Sequence, residues 1–282
     1  MYRRMLRRIL LLAALTCLGA VRAQAVDSAT ANEQRQGCCR HDGADIGQMF
    51  KNADRIYRQF KPKEAAAELL KIIQLDGRNF EALVRLARAY IDIGDSIPEQ
   101  GSTWKERKLK EYAVAEDYAR RAVKVDAHST WSHFWVAASV GSIAVVSPVA
   151  KQIELSSEIR DAVERSIALD AKNGSAYHIY GVWHRKVAEI GRTSRVLASV
   201  FYGSSLPNGS LEKSIEYLKK AVALNPTFIV SRLELARSHV AREEWPQARA
   251  LLKSIPELPI QFSDDAKYKQ KSEQLLEEIK DR

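Results

Sequence analysis

The chain has 282 residues, 46% hydrophobic and 28% charged, which allows a large core and excludes a disordered polypeptide. Thirteen glycines and eight prolines exclude a collagen-like or linker-dominated chain, and three cysteines exclude a disulfide scaffold. The net charge of +9 points toward nucleic acid or an acidic surface, but its distribution along the chain removes that reading.

Residues 1–25 differ from all that follows. Arg3, Arg4, Arg7 and Arg8 precede an apolar run of about ten residues, Ile9 to Leu18, too short to span a bilayer as a mature helix. Ala23-Gln24-Ala25 then sets small residues at the two positions a signal peptidase reads. The segment reads as a cleavable secretory signal, which predicts an exported protein, periplasmic or extracellular, with no stable membrane insertion after cleavage. A lipoprotein signal ending at Cys17 fits poorly because Thr16 precedes the cysteine, and an uncleaved anchor is the other alternative. Cleavage removes five arginines and no acid, so the charge falls from +9 to +4 and nucleic acid drops out as a partner. Residues 26–43 are polar and aperiodic and read as a disordered lead-in. It carries Cys38 and Cys39, adjacent thiols that would need strained geometry to pair and that match no metal-ligand spacing.

From residue 44 to 282 the apolar spacing is helical. Phe80, Leu83, Val84, Ala87, Tyr90 and Ile91 follow steps of three and one, and no sustained period-two stretch suggests a strand. Four turns resemble one another: Leu75-Asp76, Val125-Asp126, Leu169-Asp170 and Leu224-Asn225. Four residues before each Asx stand Ile72, Ala122, Ser166 and Ala221; eleven residues after it stand Ala87, Ala137, Gly181 and Ala236. A small residue at that second place each time predicts close crossing of two helices. The pattern follows the helix-turn-helix grammar of tetratricopeptide repeats, but the anchors lie 50, 44 and 55 residues apart instead of about 34. The excess is expected near 94–108, 141–157 and 189–211, through longer helices and extra loops. The fold predicted is all-α, a right-handed α-solenoid of four to five tetratricopeptide-like helical hairpins with variable inter-helix insertions. Ser263-Asp264-Asp265 is expected to start a last helix, to about Lys280, that covers the final repeat.

Motifs of catalysis are missing. There is no Walker A loop, no His-Glu-x-x-His, no Gly-x-Ser-x-Gly and no Gly-x-Gly-x-x-Gly. His178 and His184 are six apart on one predicted helix and face different ways, so they do not chelate one ion. His133, His178 and His239 are expected to satisfy polar groups in helix packing. The reading is therefore no enzyme, no cofactor and no metal. Asn173-Gly174-Ser175 and Asn208-Gly209-Ser210 match the glycan acceptor pattern and read as plain turns.

In stacked hairpins the first helix of each unit lines the concave face. With the Asx anchors as register, inward positions fall about five, eight, twelve and fifteen to sixteen residues on. They give Glu81, Val84 and Arg88; Trp131 and Phe134; His178, Val182, Arg185 and Lys186; Leu233 and Arg237. The expected partner is a protein or peptide segment bearing carboxylates, held by Arg88, His178, Arg185, Lys186 and Arg237 and anchored on Trp131 and Phe134. The competing reading packs Trp131, Phe134 and Leu233 internally. A second candidate is the edge insertion near 189–211, with Arg192, Arg195, Phe201, Tyr202 and Pro207.

A family resemblance rests on several runs. They are Val84-Arg85-Leu86-Ala87-Arg88-Ala89, His133-Phe134-Trp135, His178-Ile179-Tyr180-Gly181-Val182-Trp183 and Ala188. A longer stretch runs from Arg195 through Ala198, Phe201-Tyr202-Gly203 and Pro207 to Ser210-Leu211-Glu212-Lys213-Ser214-Ile215, and then Ala221-Val222-Ala223-Leu224-Asn225-Pro226. Over roughly residues 50–280 the chain resembles the regulator of microtubule dynamics proteins. The resemblance implies a tetratricopeptide-like helical fold, no catalysis and a binding role. Animal members are associated with microtubules, spindle poles and mitochondrial or reticulum membranes. With an exported start, the resemblance implies a bacterial relative acting as an envelope scaffold; with an uncleaved anchor, it implies the microtubule-linked role. It carries no functional residue across.

Overall fold

A computed structural model describes residues 46–190 and 208–282. The signal segment, the lead-in with Cys38 and Cys39, His41, and the insertion bearing Arg192, Arg195, Phe201, Tyr202 and Pro207 lie outside the described residues. Helix α1 covers 46–57. There follow α2 (Pro62–Leu75), α3 (Phe80–Asp95), α4 (Trp104–Val125), α5 (Thr130–Val146), α6 (Val149–Leu169) and α7 (Gly174–Glu189). Then come α8 (Leu211–Leu224), α9 (Ile229–Ala241), α10 (Trp245–Ser254) and α11 (Asp265–Glu278). No strand occurs among the described residues.

Every Asx turn ends one helix and positions the next. The backbone N–H of Asp76, Asp126, Asp170 and Asn225 donates to the carbonyl four residues back, on Ile72, Ala122, Ser166 and Ala221, at 2.8–3.1 Å. All four of those residues are fully buried. The carboxylates of Asp76, Asp126 and Asp170 accept from the N–H two residues on, at 3.0, 2.8 and 2.8 Å. Three residues after these anchors stands the next N-cap: Asn79, Ser129 and Asn173 each accept a backbone N–H of the helix they open. The turn is thus held at both ends by local bonds that need no tertiary partner.

The helices pair as α3–α4, α5–α6, α7–α8 and α9–α10, with α1 packed on α2 and α3 through a shared core, and the second helix of each hairpin packs on the first helix of the next. This is an all-α solenoid of tetratricopeptide-like hairpins. Ala87, Ala137, Gly181 and Ala236 are all buried. At Gly181 a methyl group would lie 2.5 Å from Leu218 Cγ and 3.0 Å from the Ser214 carbonyl, so α7 and α8 touch backbone to side chain.

The long repeat spacings are absorbed in two ways. Between α3 and α4 an extra loop, 96–103, carries the excess. Between α5 and α6 there is almost no loop: the region near 141–157 is taken up by two long helices, of 17 and 21 residues, broken only at Ser147-Pro148. Pro148 has no N–H to donate and ends α5 while opening α6.

Four core clusters follow the stacking, the smallest joining Ile215 and Leu218 of α8 to Leu235 of α9. α1, α2 and α3 share Ala53, Leu69, Ile72 and Leu86. The central hairpins share Phe134, Val140, Val163, Tyr180 and Trp183. The C-terminal cluster joins Ile229, Leu233, Leu252 and Ile255 to Ile279, with Leu275 and Leu276 of α11 packed against it. That fulfils the expected covering role of the last helix. Its start differs in detail: the Asp264 side chain makes no cap, while Asp265, 2% exposed, accepts from the N–H groups of Gln261 and Phe262 at 2.7 and 2.9 Å.

Candidate functional site: the concave cavity

The first helices of successive hairpins, α3, α5, α7 and α9, line one continuous cavity of about 710 Å³. The solenoid curls far enough that α11 and the turn before it form the opposite wall, with Phe262, Asp265, Tyr268 and Lys271 facing α3. The floor is apolar and aromatic, built by Trp131, Phe134 and Trp135 of α5, Ile179 and Val182 of α7, and Phe228 ahead of α9. Trp131 remains 45% exposed and meets Phe134 edge-on at 5.5 Å; Phe134 meets Trp135 at 4.7 Å. Phe134 therefore serves both core and cavity.

Polar groups concentrate at two places. On α3, Arg88 lies over the Tyr57 ring at 4.2 Å, while the Tyr57 hydroxyl donates to Asp92. One turn on, Tyr112 donates to Asp95 at 2.6 Å. Burial pushes the Asp92 carboxyl up to about 7, against the Tyr57 hydrogen bond and the Arg88 charge, with Asp95 and Asp264 adding to the rise. Burial also raises Asp95, Tyr57, Tyr112 and Tyr268. At the other end, Glu234 of α9 receives Arg185 from α7 and Arg237 from its own helix. Burial opposes its ionisation, but Arg185, Arg237 and His178 outweigh that and hold Glu234 below the usual carboxylate range. Beside this pair Lys271 is lowered by burial and by its cationic neighbours Lys267 and Arg237. Burial likewise lowers His178, whose Nδ1 lies 3.1 Å from the Ser231 hydroxyl.

Of the residues placed inward from sequence, Arg88, Trp131, Phe134, His178, Val182, Lys186 and Arg237 line the cavity. Arg185 does not. It is 4% exposed and its guanidinium is committed to Glu234 of α9 and Glu189 of its own helix, the buried counter-charge drawing it away from the cavity. Leu233 is fully buried in the C-terminal core, and Glu81 is exposed on the rim. His133 and His239 serve packing, the first against the Ala127 carbonyl at 2.9 Å and the second against Glu244 at 2.6 Å.

Several cavity residues were absent from the sequence reading. Asp92, Gly141 and Ser142 fall on the same register, fifteen or sixteen residues after their anchors, and extending it would have found them. Phe262, Tyr268 and Lys271 belong to a segment outside the repeat, and no local pattern assigns them to a cavity wall. Among the described residues no group of His, Cys, Asp or Glu is arranged to hold a metal ion, and no helix is long and apolar enough to cross a membrane.

The stacked hairpins give the chain a tetratricopeptide-like helical-repeat fold. The fold matches a thermophilic TPR protein of Thermus thermophilus with TM-score 0.60 at 12% identity, over 82% of this chain and 98% of that one. It also matches PilW, a type IV pilus biogenesis factor, with TM-score 0.51 at 16% identity, over 83% and 90%. The family model described as Regulator of microtubule dynamics protein 1-3 matches residues 49–280, so the chain belongs to that family. Regulator of microtubule dynamics protein 1 of Bos taurus is 25% identical over 98% of this chain and 84% of its own length. The protein of the same name from Caenorhabditis elegans is 22% identical over 82% and 99%.

Proposed function

We propose that this protein is a non-catalytic interaction scaffold that holds an extended or helical polypeptide segment in the concave cavity. The observation that supports this best is the composition of the cavity wall. An aromatic floor offers apolar anchors, and Arg88, Lys186, Arg237 and Lys271 stand around it as donors for carboxylates. An acidic segment with one or two large apolar side chains satisfies both. Arg185 is left out of the binding set, since it is buried between Glu234 and Glu189, whereas Arg237 shares Glu234 but keeps a third of its side chain open at the cavity.

The test is capture of acidic peptides from an immobilised random peptide array. Changing Arg88, Lys186 and Arg237 together to Ala is expected to weaken capture by at least about tenfold, since a charge-assisted hydrogen bond contributes about 1.5–3 kcal/mol. Unchanged capture by a folded triple variant rejects the cavity as the binding site.

The N-terminal arginines, the short apolar run and Ala23-Gln24-Ala25 support export of this scaffold after cleavage near residue 25. N-terminal sequencing of the purified mature protein tests this. A second reading, favoured by family membership, is a membrane-anchored microtubule regulator. It requires residues 1–25 to be retained and the protein to pellet with polymerised tubulin.

A further inference from the structure

One wall of the cavity is the chain's own last segment. The segment 256–278 leaves α10, turns at 261–265 and runs back as α11 along the cavity. It is tied firmly to the hairpin it comes from. Gln261 and Phe262 are held by Asp265, Lys269 Nζ donates to the Pro256 carbonyl at 2.6 Å, Thr227 Oγ1 lies 3.1 Å from Gln261 Oε1, and Leu275, Leu276 and Ile279 join the C-terminal core. Its attachment to the far wall is of another kind. Phe262 is wedged between the Phe228 ring, 5.2 Å away and edge-on, and the Arg88 guanidinium at 5.4 Å, which itself rests on Tyr57. Beside this stack Asp264 brings a third carboxylate toward Asp92 and Asp95. One side of the segment is thus anchored by hydrogen bonds and apolar packing, and the other meets α3 through one ring–cation stack and through Tyr268 and Lys267 beside the Asp92, Asp95 and Asp264 carboxylates.

We propose that residues 256–268 form a strap that narrows the binding cavity against α3 and unfolds away from Arg88, giving up the Gln261 and Phe262 N–H bonds to Asp265, to admit a ligand. The Phe262-Ser263-Asp264 stretch acts as an internal occupant, placing an aromatic ring on Arg88 with an acid next to it. This rests on the cavity being the peptide site, and it specifies what must be displaced there.

The strap also answers to pH. The charged and titratable groups facing Asp92 are Tyr57 from α1, Arg88 and Asp95 from α3 and Asp264 from the strap. Tyr268 of α11 faces the same carboxylates, and Lys108 of α4 and Lys267 of α11 bear on Asp95. With the strap closed, Asp92 is desolvated and holds its proton up to about pH 7. With the strap open, water and the departure of Asp264 return it toward the ordinary carboxylate range. Closure therefore binds a proton. It is firmest in acid, weakens as pH rises toward about 7, and is constant above that.

Hydrogen–deuterium exchange of the full chain, corrected for the chemical exchange rate, reads this without any ligand. Protection of 258–268 is expected to fall by up to about tenfold per pH unit between about pH 5 and about pH 7, then level off, while α5 and α7 stay constant. Asp92→Asn should remove part of the slope, and Asp92→Asn with Asp95→Asn should abolish it and keep the strap closed. Phe262→Ala should leave 258–268 unprotected at every pH, with α5 and α7 as the control for folding. A strap as protected as α9 at all pH, a slope that survives in the Asp92→Asn/Asp95→Asn double variant, or unchanged protection in Phe262→Ala overturns the proposal. A synthetic peptide of residues 259–267 is the binding probe and should bind Phe262→Ala at least about tenfold more tightly than the parent chain. If the strap opens as described and this peptide does not bind the opened variant, the peptide-site reading fails and the moving strap stands. If the peptide binds both proteins equally, the gate fails and the site stands.

Discussion

Gly181 is the sharpest test of how the hairpins touch. In an exposed helix, Gly→Ala is stabilising by about 1 kcal/mol, because glycine loses more backbone freedom on folding. At Gly181 that gain meets an obstacle. The new methyl would lie 2.5 Å from Leu218 Cγ, 3.0 Å from the Ser214 carbonyl oxygen and 3.1 Å from the Leu218 amide nitrogen. Two of the three atoms are backbone. Leu218 and Ala221 are fully buried, so α8 cannot retreat without loosening its own core side. Overpacking of this kind costs about 1–3 kcal/mol. Gly181→Ala is therefore expected to be net destabilising by about 1–2 kcal/mol, a loss of about 2–8 °C in Tm for a domain of this size. Gly181→Leu should lose more. Gly141 supplies the internal comparison. It also sits inside a helix, but a methyl there meets nothing within 4 Å because it faces the cavity. Gly141→Ala should gain about 0.5–1 kcal/mol. Thermal melts of both variants, with urea unfolding as a check, decide the matter. If Gly181→Ala rises in Tm as Gly141→Ala does, α7 and α8 do not cross at that residue and the repeat assignment loses its central contact.

Two further predictions concern buried polar groups. His184 is 2% exposed, packed between Tyr180, Trp183 and Tyr217, with neither ring nitrogen hydrogen-bonded among the described residues; burial, helped by Lys213, pushes it down to about 4. Its folded value lies below its unfolded one, so stability is complete above about pH 6.5 and declines as pH falls toward 4; His184→Phe should remove that part of the acid slope in urea melts run across this range. Glu234→Ala would strand Arg185 in the α7–α9 wall and is expected to cost about 3–5 kcal/mol. The exposed Lys186→Ala, one residue along, should change stability by less than about 0.5 kcal/mol, and equal effects of the two in thermal melts would refute a buried ion pair.

Local signals carried most of the architecture. The bonds that end one helix at Asp76, Asp126, Asp170 or Asn225 lie within four residues of each anchor, so a linear pattern suffices to find them. The small residues at Ala87, Ala137, Gly181 and Ala236 report a contact between neighbours in the chain, and helix periodicity then assigns an inner face. Six of the seven nominated binding residues line the cavity for that reason. Register specifies which side of a helix faces inward, but not whether a long side chain continues inward or folds along the wall. Arg185 took the second course because Glu234, 49 residues away, offers a buried counter-charge.

The closing wall is a matter of tertiary structure alone. Phe262 reaches Arg88 across more than half the chain only because each hairpin adds a small rotation to the one before, and the sum of those rotations brings the last helix opposite the second hairpin. No short stretch of sequence encodes such a sum. The same curl desolvates Asp92 and gathers Asp95 and Asp264 beside it, which makes an ordinary helix carboxylate titrate near neutrality. The order of amino acids specified the hairpins and the faces they show each other; accumulated geometry decided what those faces enclose.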